Sequence, residues 1–283
     1  MQHLSRFGDL AAAYDGFILD LWGVIHDGVT PYPGAIRSLQ QIRAAGKRAV
    51  LLSNAPRRAA VAQKALRAMG IGDDLYTGII TSGEATHLAL ARRQDPWFRA
   101  LGNRVFHIGP ERDRNVIEGV GLERVERPEA ADFVVNTGPD DLSGPSELED
   151  HEAMLRACLA AGLKMICANP DLEVIRGGVR LICAGLLTER YEALGGEARW
   201  LGKPDPAIYA PVLDMLGMPR SRVLAVGDAL RTDIAGAEAA GVDSCWVLGG
   251  IHGAELGGDP ARIAAAVAHS GLAPVACVPA FVW

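Results

Sequence analysis

The sequence predicts an α/β protein built on a parallel sheet, with a second α/β unit inserted into it. Three observations carry this. Short β-branched runs alternate with longer helix-period segments near the N-terminus, the alternation returns near the C-terminus, and a similar block lies between. At 283 residues, two domains fit better than one.

Residues 17–21 read as a strand, followed by a loop and a helix over about 33–45. A second strand covers 49–52, and a helix over 56–69 stops at Gly70. The third strand is 78–81, after which Ser82 caps a helix to about residue 93. Near the C-terminus, Pro206 opens a helix over 206–216. A buried strand at 223–226, a helix over 232–240, a strand at 244–248 and a last helix over 260–269 follow. In the middle, strands are expected at 105–108, 133–135 and 165–167, with helices over about 112–120 and 146–161. The break at Gln94-Asp95-Pro96 and the turn at Arg176-Gly177-Gly178 read as places where the chain leaves and rejoins the core. The expected organisation is core over 1–97, an inserted domain over 98–183, and core again over 184–283.

Composition excludes several classes. The hydrophobic fraction of 49% is too high for a disordered chain. Net charge is 28 − 34 = −6, with Lys and Arg dispersed, which argues against a nucleic-acid partner. No run approaches the ~20 apolar residues of a membrane span, and the first residues lack the apolar stretch of a secretory leader. The five cysteines show no C-x-x-C spacing, and most sit in apolar runs as small buried hydrophobes. A cytoplasmic protein is the expectation. No surface stripe decides oligomeric state, and a homodimer stays open.

Open parallel sheets bind ligands at the carboxyl ends of their strands. After the first strand comes Asp20-Leu21-Trp22; after the second, Ser53-Asn54; after Trp200-Leu201, Gly202-Lys203-Pro204; after residue 226, Gly227-Asp228 through Thr232-Asp233. One acid, a hydroxyl–amide pair, a lysine and two further acids thus reach one sheet edge. That set suits phosphoryl chemistry. Mg2+ takes oxygen ligands, which Asp20 and Asp228 supply, and Asp233 lies one helical turn on to hold a metal water. Lys203 adds a point charge, and Ser53 and Asn54 offer donors to phosphate oxygens. Asp20 can then attack phosphorus and form an aspartyl-phosphate that water cleaves.

In this order and across the whole chain, the four segments resemble the four motifs of the haloacid dehalogenase (HAD) superfamily. The middle block, between the Ser53 and Lys203 motifs, sits where class IIA members, similar to 4-nitrophenyl phosphatases and to sugar and nucleotide phosphatases, carry a cap. Asn169-Pro170-Asp171 looks like a cap segment of that subfamily. The resemblance implies a Rossmann-like core, an α/β cap, Mg2+ dependence, Asp20 as nucleophile and the backbone carbonyl of Trp22 as a metal ligand.

Trp22 also marks a departure. Family phosphatases usually place an acid/base Asp there, whereas an indole has one N–H donor and cannot shuttle a proton. His26 and Asp27 in the same loop, and Asp171 from the cap, are the candidate substitutes, and Asn169 and Asp171 are candidate substrate contacts. The plainer readings are a solvent-facing loop for His26, a turn for Asp27-Gly28, and solvated helix faces for Arg57, Arg58, Arg92 and Arg93. Three functions follow: an Mg2+-dependent phosphatase of a small phosphorylated metabolite (a sugar phosphate or nucleotide), a metal-free 2-haloacid dehalogenase, and a degenerate regulatory protein that binds a phospho-ligand.

Overall fold

A computed structural model describes residues 1–140 and 144–283. Fourteen strands are assigned in chain order among them. The first four are β1 (Gln2–His3), β2 (Gly16–Leu19), β3 (Arg48–Ser53) and β4 (Gly78–Thr81). A second group follows: β5 (Arg104–Ile108), β6 (Glu123–Val125), β7 (Phe133–Asn136), β8 (Lys164–Cys167), β9 (Glu173–Arg176), β10 (Val179–Ile182) and β11 (Ala198–Trp200). The chain closes with β12 (Val223–Gly227), β13 (Asp243–Val247) and β14 (Ala276–Val278).

The two ends of the chain build one seven-stranded sheet in the order β1-β14-β13-β12-β2-β3-β4, parallel throughout. Its strands are apolar on both faces because helices cover both. Phe17, Leu19, Leu51, Leu224 and Val226 point into one core cluster, and Ile18, Val50, Leu52, Val223 and Ala225 into the other. From β2 the chain winds towards β4, and from β12 it winds the opposite way towards β14. The crevice between β2 and β12 is therefore the topological switch point, where open α/β sheets hold ligands. Asp20 follows β2 directly, and Asp228 follows β12.

The middle of the chain forms a second parallel sheet, ordered β11-β8-β7-β5-β6. Val105, Phe133 and Ile166 pack to one side with Phe98 and Val116; Val134 and Met165 pack to the other with Leu155, Leu187 and Tyr191.

The structure moves three expectations. The inserted unit does not end at residue 183. The helix Ala184–Ala193 buries Leu187 and Tyr191 against the second sheet, and β11 pairs with β8. Trp200 thus closes the second sheet rather than a core strand, and the chain returns to the core only near Lys203. The Arg176-Gly177-Gly178 turn does not lead back to the core. Both glycines adopt positive φ (54° and 82°) and close the antiparallel β9–β10 hairpin. Finally, Thr81 caps the helix Ser82–Arg92 by accepting from Glu84 N, and Ser82 lies inside it.

Candidate active site

Four side chains meet in the crevice. Lys203 Nζ is buried and donates to Asp20 Oδ1 at 2.7 Å, to Asp233 Oδ1 at 2.6 Å and to the Leu52 carbonyl at 3.2 Å. Asp20, Asp228 and Asp233 each offer a carboxylate oxygen, all within 4.8 Å of one another. Backbone donors orient two of them: Asp228 Oδ2 accepts from Ile251 N at 2.6 Å, and Asp233 Oδ2 from Ala229 N at 3.1 Å.

Glycine makes that convergence fit. A Cβ on Gly23 or on Gly250 would lie 2.0 Å from Asp228 Oδ2. Gly23 also sits at φ +77°, so it is required twice.

Three buried acids share one buried ammonium, so the cluster carries surplus negative charge. Burial, reinforced by Asp233, pushes the Asp20 carboxyl well above the usual range despite the nearby Lys203. Burial and then Asp233 raise the Asp228 carboxyl to about 7. Burial alone would lower the Lys203 ammonium, but Asp20 and Asp233 outweigh it and hold it well above its ordinary value. A hard cation with oxygen ligands would offset that charge, and the donor set fits Mg2+.

Asn54 ties the neighbouring segments together. Its Oδ1 accepts from Lys203 N at 2.8 Å and Ser82 Oγ at 3.1 Å, while its Nδ2 donates to Asp171 Oδ1 at 2.8 Å. Ser53 Oγ, at the end of β3, accepts from Ala55 N at 3.2 Å. Neither residue caps the following helix, which begins only at Ala59.

Comparison with known proteins gives a consistent picture. A haloacid dehalogenase-like hydrolase family model matches residues 17–123, and a second HAD-hydrolase-like model matches 200–272. The structure of a haloacid dehalogenase-like family hydrolase from Brucella suis 1330 is 34% identical, covers 99% of this chain and 100% of that one, and superposes with a TM-score of 0.84. The chain belongs to the haloacid dehalogenase-like hydrolases. A D-glycerol 3-phosphate phosphatase of Mycobacterium tuberculosis is 33% identical over 253 residues, 87% of this chain but 66% of that protein's length. The magnesium complex of a glycerol phosphate phosphatase from the same organism is 31% identical, with a TM-score of 0.63 over 85% of this chain and 70% of that one.

This HAD-like hydrolase places the remaining expected residues unevenly. Trp22 lines the same cavity, of about 270 Å3, as Asp20, Asp228 and Asp233. Its ring lies across Gly28, where a Cβ would sit 2.1 Å from the indole. Asp171 lines that cavity too, and burial raises its carboxyl. Asn169 lines an adjoining cavity, where its Oδ1 accepts from Asp171 N at 3.1 Å and shapes the turn.

His26 and Asp27 stand apart, and neither lines either cavity among the described residues. His26 is not solvent-facing: it is buried edge-on to Trp22, with Nδ1 accepting from Gly28 N at 2.9 Å. Burial lowers its imidazole to about 4, so it is neutral at pH 7. Asp27 is an exposed turn acid, with Oδ1 accepting from Val29 N and Thr30 N. Neither side chain is therefore presented to the acid cluster's cavity: His26 is packed against Trp22, and Asp27 is held in its turn.

Sequence reasoning missed Ser82, which holds Asn54, and the Gly250–His252 loop and β9 hairpin strand that wall the cavity. It also read Arg57 as a solvated helix face, whereas Arg57 lines the adjoining cavity. Pro56 before it, ending the Ser53-Asn54 segment, was the available signal that the chain stays near the crevice.

Proposed function

We propose that this chain is an Mg2+-dependent phosphatase that hydrolyses a small phosphorylated metabolite, such as a sugar phosphate or nucleotide, through an aspartyl-phosphate on Asp20. The carrying observation is Lys203 Nζ between Asp20 and Asp233, with Asp228 within reach of both. The mycobacterial glycerol phosphate phosphatase and its magnesium complex support the same assignment.

Asp20, Asp228, Asp233 and the Trp22 carbonyl would hold the cation, which offsets the surplus charge and polarises a phosphoryl oxygen. Asp20 attacks phosphorus, the ester P–O bond breaks, and the leaving oxygen departs with the bonding electrons. Lys203 restrains the nucleophile and neutralises charge beside the phosphoryl group. At the carboxyl end of β3, the Ser53 hydroxyl and the Asn54 backbone N–H present donors to its equatorial oxygens, while the Asn54 side-chain amide, donating to Asp171 and to the Lys203 carbonyl, holds the segment in place. Water then cleaves the acyl phosphate and returns Asp20. We assign proton exchange with leaving group and water to Asp171, which lines the same cavity from the second sheet's unit, because Trp22 cannot carry a proton.

Three clustered acids speak against a metal-free dehalogenase, where they would repel the departing halide. The test is a panel of phosphate esters with and without Mg2+. Asp20→Asn should abolish turnover while Mg2+ binding largely persists by calorimetry. Hydrolysis by Asp20→Asn at the parental rate would defeat the mechanism.

A further inference from the structure

Arg231 takes no part in the phosphoryl-transfer steps, yet it springs from the turn that carries two of the clustered acids. It lies between Asp228 and Asp233, on a π-helical turn over Leu230–Ile234. Such turns are uncommon and recur at functional sites. Asp233 N and Ile234 N both donate to the Ala229 carbonyl, at 2.9 and 3.2 Å, which closes the turn. From there the guanidinium reaches out of the large sheet's unit to three elements of the second. Nη1 donates to the Pro170 carbonyl at 2.7 Å, in the loop after β8. Nη2 donates to Glu189 Oε1 at 2.9 Å, on the helix Ala184–Ala193. The guanidinium carbon stands 5.8 Å from the centre of the Trp200 ring, on β11. The Glu189 pair is exposed and contributes little by itself. The Pro170 bond is stronger, because the donor is charged and Pro170 is buried.

That carbonyl belongs to the peptide that leads into Asp171, and further contacts fix the same residue. Asn54 Nδ2 donates to Asp171 Oδ1 at 2.8 Å, Asp171 N donates to Asn169 Oδ1 at 3.1 Å, and the Asp171 carbonyl accepts from Gly185 N at 3.1 Å. A Cβ on Gly185 would lie 2.5 Å from both the Pro170 and the Asp171 carbonyl oxygens, so the helix start presses directly on this peptide. Asn169 and Gly185 belong to the second unit. The large sheet's unit therefore holds Asp171 at two points: Asn54 ties its side chain to the end of β3, and Arg231 ties its backbone to the turn of Asp228 and Asp233.

We infer that Arg231 is a positioning residue: by gripping the peptide between Pro170 and Asp171 from the turn of Asp228 and Asp233, it aims the Asp171 carboxyl at the leaving oxygen of a phosphate ester bound at Asp20. This rests on the phosphatase reading, with Asp171 as proton carrier, and deepens it. The proton passes from Asp171 to the leaving alkoxide as the P–O bond breaks, and Asp171 regains it from the water that cleaves the acyl phosphate. Because Arg231 and Asp171 belong to different units, the proton carrier is complete only when the two units are closed on each other.

The experiment measures kcat and KM, with Mg2+ present, for two alkyl esters (glycerol 3-phosphate and fructose 6-phosphate) and for 4-nitrophenyl phosphate, whose leaving group needs no proton. Arg231→Met keeps the stem and removes both donors, and the residue is exposed enough for the variant to fold. It should lower kcat for the alkyl esters by about tenfold or more, a charge-assisted bond's worth, while KM and the turnover of 4-nitrophenyl phosphate stay nearly unchanged. Arg231→Lys, which keeps the charge, should recover part of the loss. Asp171→Asn should show the same bias between esters, and adding Arg231→Met to it should remove nothing more, since the two act as one unit. Apart from turnover, the Asp171 amide should lose protection against hydrogen exchange in Arg231→Met while the amides of β12 keep theirs. Equal losses on both kinds of ester in Arg231→Met, or a loss that persists in full on the Asp171→Asn background, overturns the inference while the phosphatase reading stands. A wild type that cleaves 4-nitrophenyl phosphate but neither alkyl ester lacks a working proton carrier, which overturns it too. No hydrolysis of any of the three esters would sink the phosphatase reading as well.

Discussion

Replacing Lys203 by methionine tests how the acid cluster is held. Methionine keeps the stem but removes a buried ammonium that lies 2.7 Å from Asp20 and 2.6 Å from Asp233. Three carboxylates within 4.8 Å of one another would then share no cation. Removing one partner of a buried ion pair costs about 3–5 kcal/mol, because the other is left uncompensated. With an unfolding entropy of roughly 2 cal/mol/K per residue, a chain of 283 residues has about 0.6 kcal/mol/K, so Tm should fall by about 5–8 °C. Groups whose folded pKa is raised, as for Asp20 and Asp228, favour the fold at low pH and lose that contribution as pH rises through the folded value. Losing Lys203 raises those values further, so the deficit should be larger at pH 8 than at pH 5. Mg2+ should restore part of it, by about 2.7 kcal/mol at 100 times its Kd. Differential scanning calorimetry at both pH values, with and without Mg2+, reads all three effects. A Lys203→Met protein that melts within 1 °C or so of the parent at pH 8 without metal, or still turns over phosphate ester, would refute the electrostatic account.

Asp171→Asn should lower turnover of alkyl phosphates by about 10²-fold or more, with a smaller loss for 4-nitrophenyl phosphate, whose leaving group needs no proton; equal losses on the two esters would count against Asp171 as the proton donor. His26 is held to about 4 by burial, below its unfolded value, so its contribution is present above about pH 6.5 and is lost as pH falls towards 4. In urea titrations the stability gap between wild type and His26→Gln should therefore shrink by about 2 kcal/mol between pH 7 and pH 5, and a constant gap would show that the imidazole is not buried as a neutral group.

Much of the crevice was legible because its chemistry sits at strand ends. Asp20, Ser53 and Asp228 each terminate or follow an apolar run, and a parallel sheet sends all such ends to one edge. The second unit was less legible. Leu187 and Tyr191 pack against Met165 and Val134, a pairing across distant segments that leaves no local period. With three residues, β11 is too short to alternate, and the Gly177-Gly178 pair signals a tight turn without saying what lies beyond it. His26 and Arg57 were misplaced for a related reason. Whether a polar side chain faces solvent depended on Trp22 folding across Gly28 and on the second unit closing over residue 57.

The interleaving of chain ends in the large sheet has a consequence for biosynthesis. Strand β2 leaves the ribosome early, yet its neighbour β12 is 208 residues behind, measured from Asp20 to Asp228. At about 5–20 residues per second, translation leaves that edge unpaired for roughly 10–40 s. The nascent N-terminal half must spend that interval shielded by β3 and β4 on one side only, which makes it a natural client for chaperones until the last strands arrive.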